Sequence, residues 1–372
     1  MSRRMIPHFA VATAVIALTG VHTASAVTIY EQTNLTSDIA GLAANFDPNL
    51  KNPWGVSFTA TSPFWVSNQM TNTSTLYDAG GVPNPTGNPL IVTTPPGPTG
   101  QVANTTMDFQ IAPGRPAAFI FASLSGTVSG WNPAVQPTSA VVGFTATDGA
   151  VYTGLAQGTV GGNNLLYAAD NKNGKIDVLN GSFQKVSVSG SFTDPNVGPG
   201  FTPYNIQNAG GKLYVTYSAA GSTGGSVGVF DLNGNFLQHI ADSHLNSPWG
   251  VTIAPAGFGD FANALLIGNE GDGTINGFDP STGVFLGTIS SASGPIVNEH
   301  LWAINFRAAG STFDPNALYF VAGINNEADG LFGTITVAQA EGGVPEPATI
   351  WTGALALVGF GLARWLRRGA AF

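Results

Sequence analysis

A strand pair recurs six times along this 372-residue chain, and no other feature narrows the fold as far. Each unit holds an apolar strand, a turn of Asn, Asp or Gly, and a second strand that closes on an aromatic residue or Asp in most copies. Pro63–Asn68 leads to Ser74–Asp78, Ala118–Ser123 to Gly126–Trp131, and Leu165–Asp170 to Gly174–Leu179. The pattern returns as Lys212–Tyr217 with Ser226–Asp231, Ala264–Asn269 with Gly273–Asp279, and Ala317–Ala322 with Gly330–Ile335. A further strand precedes each pair, beginning at Asn52-Pro53-Trp54-Gly55, Asn104-Thr105-Thr106, Tyr152-Thr153-Gly154, Pro203-Tyr204-Asn205, Ser247-Pro248-Trp249-Gly250 and His300-Leu301-Trp302, roughly 45 to 53 residues apart. A period near 50 residues with four short strands per unit predicts a single six-bladed β-propeller. A β-sandwich would use similar strands without this repetition.

Fourth strands follow five of the units, at Leu90–Thr94, Ala140–Thr145, Gln184–Ser189, Phe236–Ile240 and Phe285–Ile289. Nothing comparable follows Val337. Val27-Thr28-Ile29-Tyr30 alternates as a strand does. Pairing it into the sixth blade would join the two ends of the ring and remove a free edge. Composition agrees with an all-β domain: 49 Gly, 24 Pro and only 9% charged residues.

Both ends carry targeting features. Arg3 and Arg4 precede an apolar stretch from Phe9 to Val21, and Ala24-Ser25-Ala26 offers small residues for cleavage after Ala26. That order predicts a signal peptide over 1–26. At the other end, Pro345-Glu346-Pro347 leads into an apolar run and then Arg364, Arg367 and Arg368. The arginines would stay in the cytoplasm by the positive-inside rule, leaving the preceding chain outside. The propeller is therefore assigned to 27–343, and the tail to 344–372 with a short hydrophobic transmembrane helix at about 348–366.

The Pro-Glu-Pro box, apolar run and basic end resemble the PEP-CTERM sorting signal of Gram-negative bacteria. That resemblance implies an exosortase and export machinery as partners, transient anchoring in the inner membrane, and a final place on the cell surface or in the extracellular matrix. Asn52-Pro53-Trp54-Gly55, Phe64-Trp65-Val66-Ser67-Asn68, Ser191-Phe192-Thr193-Asp194-Pro195-Asn196, Asn246-Ser247-Pro248-Trp249-Gly250 and Asn326-Glu327-Ala328-Asp329-Gly330-Leu331-Phe332-Gly333 resemble an uncharacterised family of exported bacterial proteins. The blades are more loosely similar to NHL and gluconolactonase-like propellers.

Between the two signals the domain carries seven Lys and Arg against 20 Asp and Glu, about −13. Such a charge repels phosphate backbones and argues against nucleic acid as a partner. The chain has no cysteine, which excludes thiol catalysis and Cys-based metal sites.

In a four-stranded meander the turn before strand one and the turn between strands two and three share a face. That rim would gather Asn68, Asp170, Asn171, Asn269, Glu270 and Asp272 as oxygen ligands for calcium or magnesium. Gluconolactonase-like propellers imply a metal in the channel on such residues. The same residue types also satisfy tight turns for backbone reasons. Trp54, Trp249, Trp302, Asn325, Asn326, Glu327 and Asp329 complete a ligand-binding rim, the tryptophans serving either as wedges between blades or as platforms for sugar rings. His244 and His300, with Glu299 beside the latter, are the candidates for acid–base catalysis. Three function classes follow: a surface or matrix protein binding polysaccharide or another cell-envelope partner, a metal-dependent hydrolase or lyase of lactonase type, and a structural biofilm component.

Overall fold

In a computed structural model, which describes residues 28–307 and 313–338, the chain winds through six blades of antiparallel strands. The inner, first strands are Pro53–Ser57, Pro98–Ala103, Tyr152–Val160, Thr202–Ala209, Pro248–Ile253 and Leu301–Asn305. Each leads outward through a meander, so that blade one runs Pro53–Ser57, Phe64–Asn68, Thr73–Tyr77 and Ile91–Thr93 from axis to rim. The same order holds for blades two to five.

Burial explains the pattern that marked the repeats. Second strands are mostly apolar because neighbouring blades cover both faces; Phe64–Asn68, Phe119–Ser123, Leu265–Asn269 and Leu318–Ala322 are buried at every residue, polar ends included. Fourth strands face solvent, and Phe236–Ile240 buries only its last residue fully. Six hydrophobic clusters result, five of them straddling two adjacent blades and one joining blades one and six to Trp249 of blade five. Between blades one and two, for example, Trp65 stacks on Phe119 at 4.1 Å beside Trp131.

The ring closes as a propeller should. Blade six takes Leu301–Asn305, Leu318–Ala322 and Leu331–Ala338 from the end of the described chain and its outer strand from the N-terminal part. That outer strand spans Ile29–Ser37 and pairs antiparallel to Leu331–Ala338, from Ile29 opposite Ala338 to Ser37 opposite Leu331. It is longer than the Val27–Tyr30 segment that alternation suggested, because a bulge between Asn34 and Thr36 resets the register and lets pairing continue. Val27 itself lies outside the described residues. A short parallel strand, Asn45–Phe46, adds to its far side.

One blade begins earlier than its sequence suggested. Asn104-Thr105-Thr106 follows the inner strand of blade two instead of starting it, and the strand is Pro98–Ala103. Pro-Thr-Gly-Gln-Val-Ala has no aromatic residue to mark it. Its glycine serves close approach: a Cβ on Gly100 would strike the backbone of Gly154 and Leu155 in blade three. Gly55 meets Thr99, Gly154 meets Asn205 and Gly250 meets Trp302 in the same manner. Inner strands thus touch around the axis, and the space left between them is about 10 Å³, room for about one water.

The segments expected to form a signal peptide and a sorting tail with a hydrophobic helix lie outside the described residues. Among the described residues no helix is long and apolar enough to cross a membrane.

Candidate functional site

Blades one, five and six start from the same turn. Asn52, Ser247 and His300 hold φ of 45°, 46° and 47°, a left-handed conformation that residues with a Cβ seldom adopt. Each turn delivers a tryptophan to the axis two residues later. Trp54 and Trp302 stack with centroids 3.7 Å apart, and Trp249 meets them edge-on at 6.3 and 5.8 Å. Tyr204 of blade four closes the group. The three indoles are 7%, 0% and 3% exposed for Trp54, Trp302 and Trp249. They form a plug across the channel and offer no open face to a sugar ring. The Trp302 indole N–H donates to Asn52 Oδ1 at 3.0 Å and that of Trp249 to the Thr153 carbonyl at 3.2 Å, while Trp54 Nε1 is buried with no partner among the described residues.

Over this plug stand three groups that the sequence distributed among separate roles. A carboxylate oxygen of Glu270, a ring nitrogen of His300 and a carboxylate oxygen of Glu327 lie within 4.8 Å of one another. His300 Nδ1–H donates to Glu270 Oε1 and sits 4.0 Å from Glu327 Oε1. Glu270 comes from the turn between strands two and three of blade five, His300 from the start of blade six and Glu327 from the matching turn of blade six. Adjacent blades therefore build the cluster.

The backbone beneath it is strained. Asn325, Asn326 and Glu327 take φ of 55°, 54° and 67° in succession, a conformation that Asn visits readily but that costs Glu327 roughly 1–2 kcal/mol. Glu299 holds that turn by accepting the N–H groups of Asn325 and Asn326 at 3.0 and 2.9 Å. Strain of this kind collects where function constrains geometry.

Burial raises the Glu327 carboxyl above its ordinary range; the His300 charge opposes the rise and Glu270 adds to it. Burial, then the charges of Glu270 and Glu327, pushes the Tyr204 phenol well above its usual value. For Glu327 the sign is clear. A carboxyl whose folded pKa exceeds its unfolded one contributes stability below the unfolded value, and the contribution fades as pH rises through the folded one. Glu327→Gln should therefore raise the melting temperature at pH 7 and flatten its dependence between pH 5 and 7. At 38% side-chain exposure, solvent screening limits the gain to about 1 kcal/mol or less. Thermal melts across that interval measure it, and a steeper dependence in the variant would contradict the assignment.

The remaining residues of the sequence-derived rim are engaged elsewhere. Asp170 accepts from the Val151 and Asn173 N–H groups and from Asn173 Nδ2, and Asn171 Nδ2 donates to Thr202 and Pro203. Asp148, Asp170 and Asp177 form a second acidic group, but Lys175 and Lys185 already sit among them. Asn68 Nδ2 donates to Thr73 and Thr75, Asn269 Nδ2 to the His244 carbonyl and Asp272, and the Oδ1 of each amide is buried without a partner. Asp272 otherwise braces Thr274. Asp329 binds Lys51 at 3.1 Å and Asn325. His244 pairs with Asp242 at 2.6 Å and lies flat on Phe285 at 3.8 Å; its interactions are separate from those of His300.

No family model matches the chain. An uncharacterized protein of Acanthamoeba polyphaga mimivirus is 31% identical over 342 residues, which span 84% of this chain and 82% of the relative. The two belong to one family. This relative is viral, whereas the resemblance read from the motifs pointed to exported bacterial proteins. Among solved structures, a protein of unknown function from Bacteroides thetaiotaomicron superposes with a TM-score of 0.53 at 12% identity, over 84% of this chain and 76% of that one. A streptogramin B lyase gives 0.50 at 11% identity, over 84% and 98%. At these identities the likeness concerns the fold of the family.

Proposed function

We propose that the channel mouth is a cation-assisted acid–base site of hydrolase or lyase type, carried by an exported protein. One observation supports it above others: Glu270, His300 and Glu327 converge from adjacent blades on a strained backbone, above a plug that closes the channel behind them. The Nδ1–H bond to Glu270 orients the imidazole and leaves Nε2, 3.9 Å from Glu299 Oε1, to accept or return a proton. Glu270 and Glu327 would hold a divalent cation beside it. Two carboxylates suit magnesium, calcium or manganese, and the imidazole stays free for the proton. When bound, such an ion polarises a carbonyl or phosphoryl oxygen of the ligand. The streptogramin B lyase supports this reading only by providing a precedent for enzymes on this scaffold.

Export remains part of the proposal: cleavage after Ala26, and sorting by an exosortase through Pro345, Glu346 and Pro347 to the cell surface or matrix. A role in binding polysaccharide through the same rim is less favoured, since the buried indoles supply no stacking platform there.

Melting the domain in millimolar magnesium, manganese or calcium and again in chelator tests the site. An ion at 100 times its Kd should add about 2.7 kcal/mol, and Glu270→Gln with Glu327→Gln should remove the gain. An unchanged melting temperature would dismiss the cation, and a shift that survives the double variant would place it elsewhere.

A further inference from the structure

The opposite end of the channel holds a different kind of space. Beyond the glycine constriction the inner strands diverge around an open cavity of about 220 Å³, lined among others by Ser57, Phe58, Gln157, Gln207, Asn208 and Asn305. Among the described residues, none that lines it is ionisable. These positions lie four to six residues past the start of their strands, which at about 3.3 Å per residue sets them on the order of 13–20 Å from the mouth.

Its polar groups are uncommitted to an unusual degree. Ser57 Oγ and Gln157 Oε1 are buried with no hydrogen-bond partner, and Ser57 as a residue is 8% exposed. The side-chain amides of Gln207 and Asn305 take no partner among the described residues. A buried polar atom without a partner is costly and rare in a folded chain. Ser57, Gln157, Gln207 and Asn305, contributed by blades one, three, four and six, line one cavity together with Phe58, Val102 and Ala156; the Ser57 and Gln157 oxygens are sealed within its wall, and the Gln207 and Asn305 amides are left to meet a ligand.

We infer that this vestibule is a second binding site, separate from the mouth, for a neutral polyhydroxylated ligand of the size of one or two sugar rings. An ion entering it would lose hydration with no countercharge to replace it. Amides present donors and acceptors side by side, which matches hydroxyl groups that both donate and accept. The apolar surfaces accommodate the C–H faces of a pyranose.

The test is calorimetric titration of the folded domain with glucose, galactose, mannose, N-acetylglucosamine and their disaccharides, alongside glucuronate. At least one neutral sugar should bind saturably, and more tightly than glucuronate. Gln207→Ala or Asn305→Ala should weaken it tenfold or more, while Glu270→Gln at the mouth leaves it unchanged. Absence of saturable binding by every neutral sugar in the panel would overturn the inference. So would binding that survives Gln207→Ala with Asn305→Ala, or that disappears in Glu270→Gln.

Discussion

A chain beginning at Asp38 should fail to melt cooperatively, because it lacks the strand that completes blade six. Ile29–Ser37 supplies the outer strand against Leu331–Ala338, and without it that edge would be left unpaired. Tyr30 alone carries much of the effect. It is 1% exposed, packs on Phe258 at 5.0 Å and Phe261 at 5.8 Å, and donates its hydroxyl to the Phe258 carbonyl at 3.1 Å. Truncating a buried aromatic side chain to alanine costs about 3–5 kcal/mol, against a total stability of about 5–15 kcal/mol for a typical domain. Tyr30→Ala should therefore fold with a much lower denaturation midpoint, and the strand deletion should remove the transition. Denaturant titration followed by tryptophan fluorescence reads both. A native-like midpoint in the deletion would show that closure contributes little, and refolding on adding the missing strand as a peptide would localise its role.

Trp302→Ala should destabilise by about 3–5 kcal/mol and also silence the mouth. The side chain is fully buried, stacks on Trp54 at 3.7 Å and meets Trp249 and Tyr204 edge-on. Its loss opens a cavity on the axis and strips Asn52 Oδ1 of its indole donor. Because Trp302 follows His300 by two residues, relaxation around the cavity moves the imidazole out of line with Glu270. The expected record is a lowered midpoint, reduced near-ultraviolet circular dichroism and no stabilisation by divalent ions in the folded variant. Stabilisation by ions equal to that of the parent would separate the plug from the site above it.

The blades were legible in the sequence because their second strands are covered on both faces. Leu265–Gly268 and Leu318–Ala322 read as unbroken apolar runs for that reason, and the missing fourth strand after Val337 pointed back to the N-terminal segment. Pro98–Ala103 escaped notice because its role, close contact through Gly100, requires the absence of a side chain. The mouth was half legible. Glu270, His300 and Glu327 each stood out by residue type, but their union depends on which turn of one blade leans over the start of the next, and spacings of 30 and 27 residues do not encode that. Whether the tryptophans face a ligand or each other was equally open, since either arrangement places them at the axis. Gln157, Gln207 and Asn305 left a faint signal, a polar amide a few residues after the aromatic Tyr152, Tyr204 and Trp302.

The glycine contacts have a consequence for traffic through the molecule. The space of about 10 Å³ between the inner strands holds about one water, and the buried, stacked indoles close the axis above it, so the two faces of the ring are separate compartments. Whatever reaches Glu270 and His300 must leave by the side it came from, and an occupant of the far vestibule cannot serve as its substrate or receive its product by diffusion along the axis. The ring can hold two unlike molecules at once, back to back, as a rivet holds two plates.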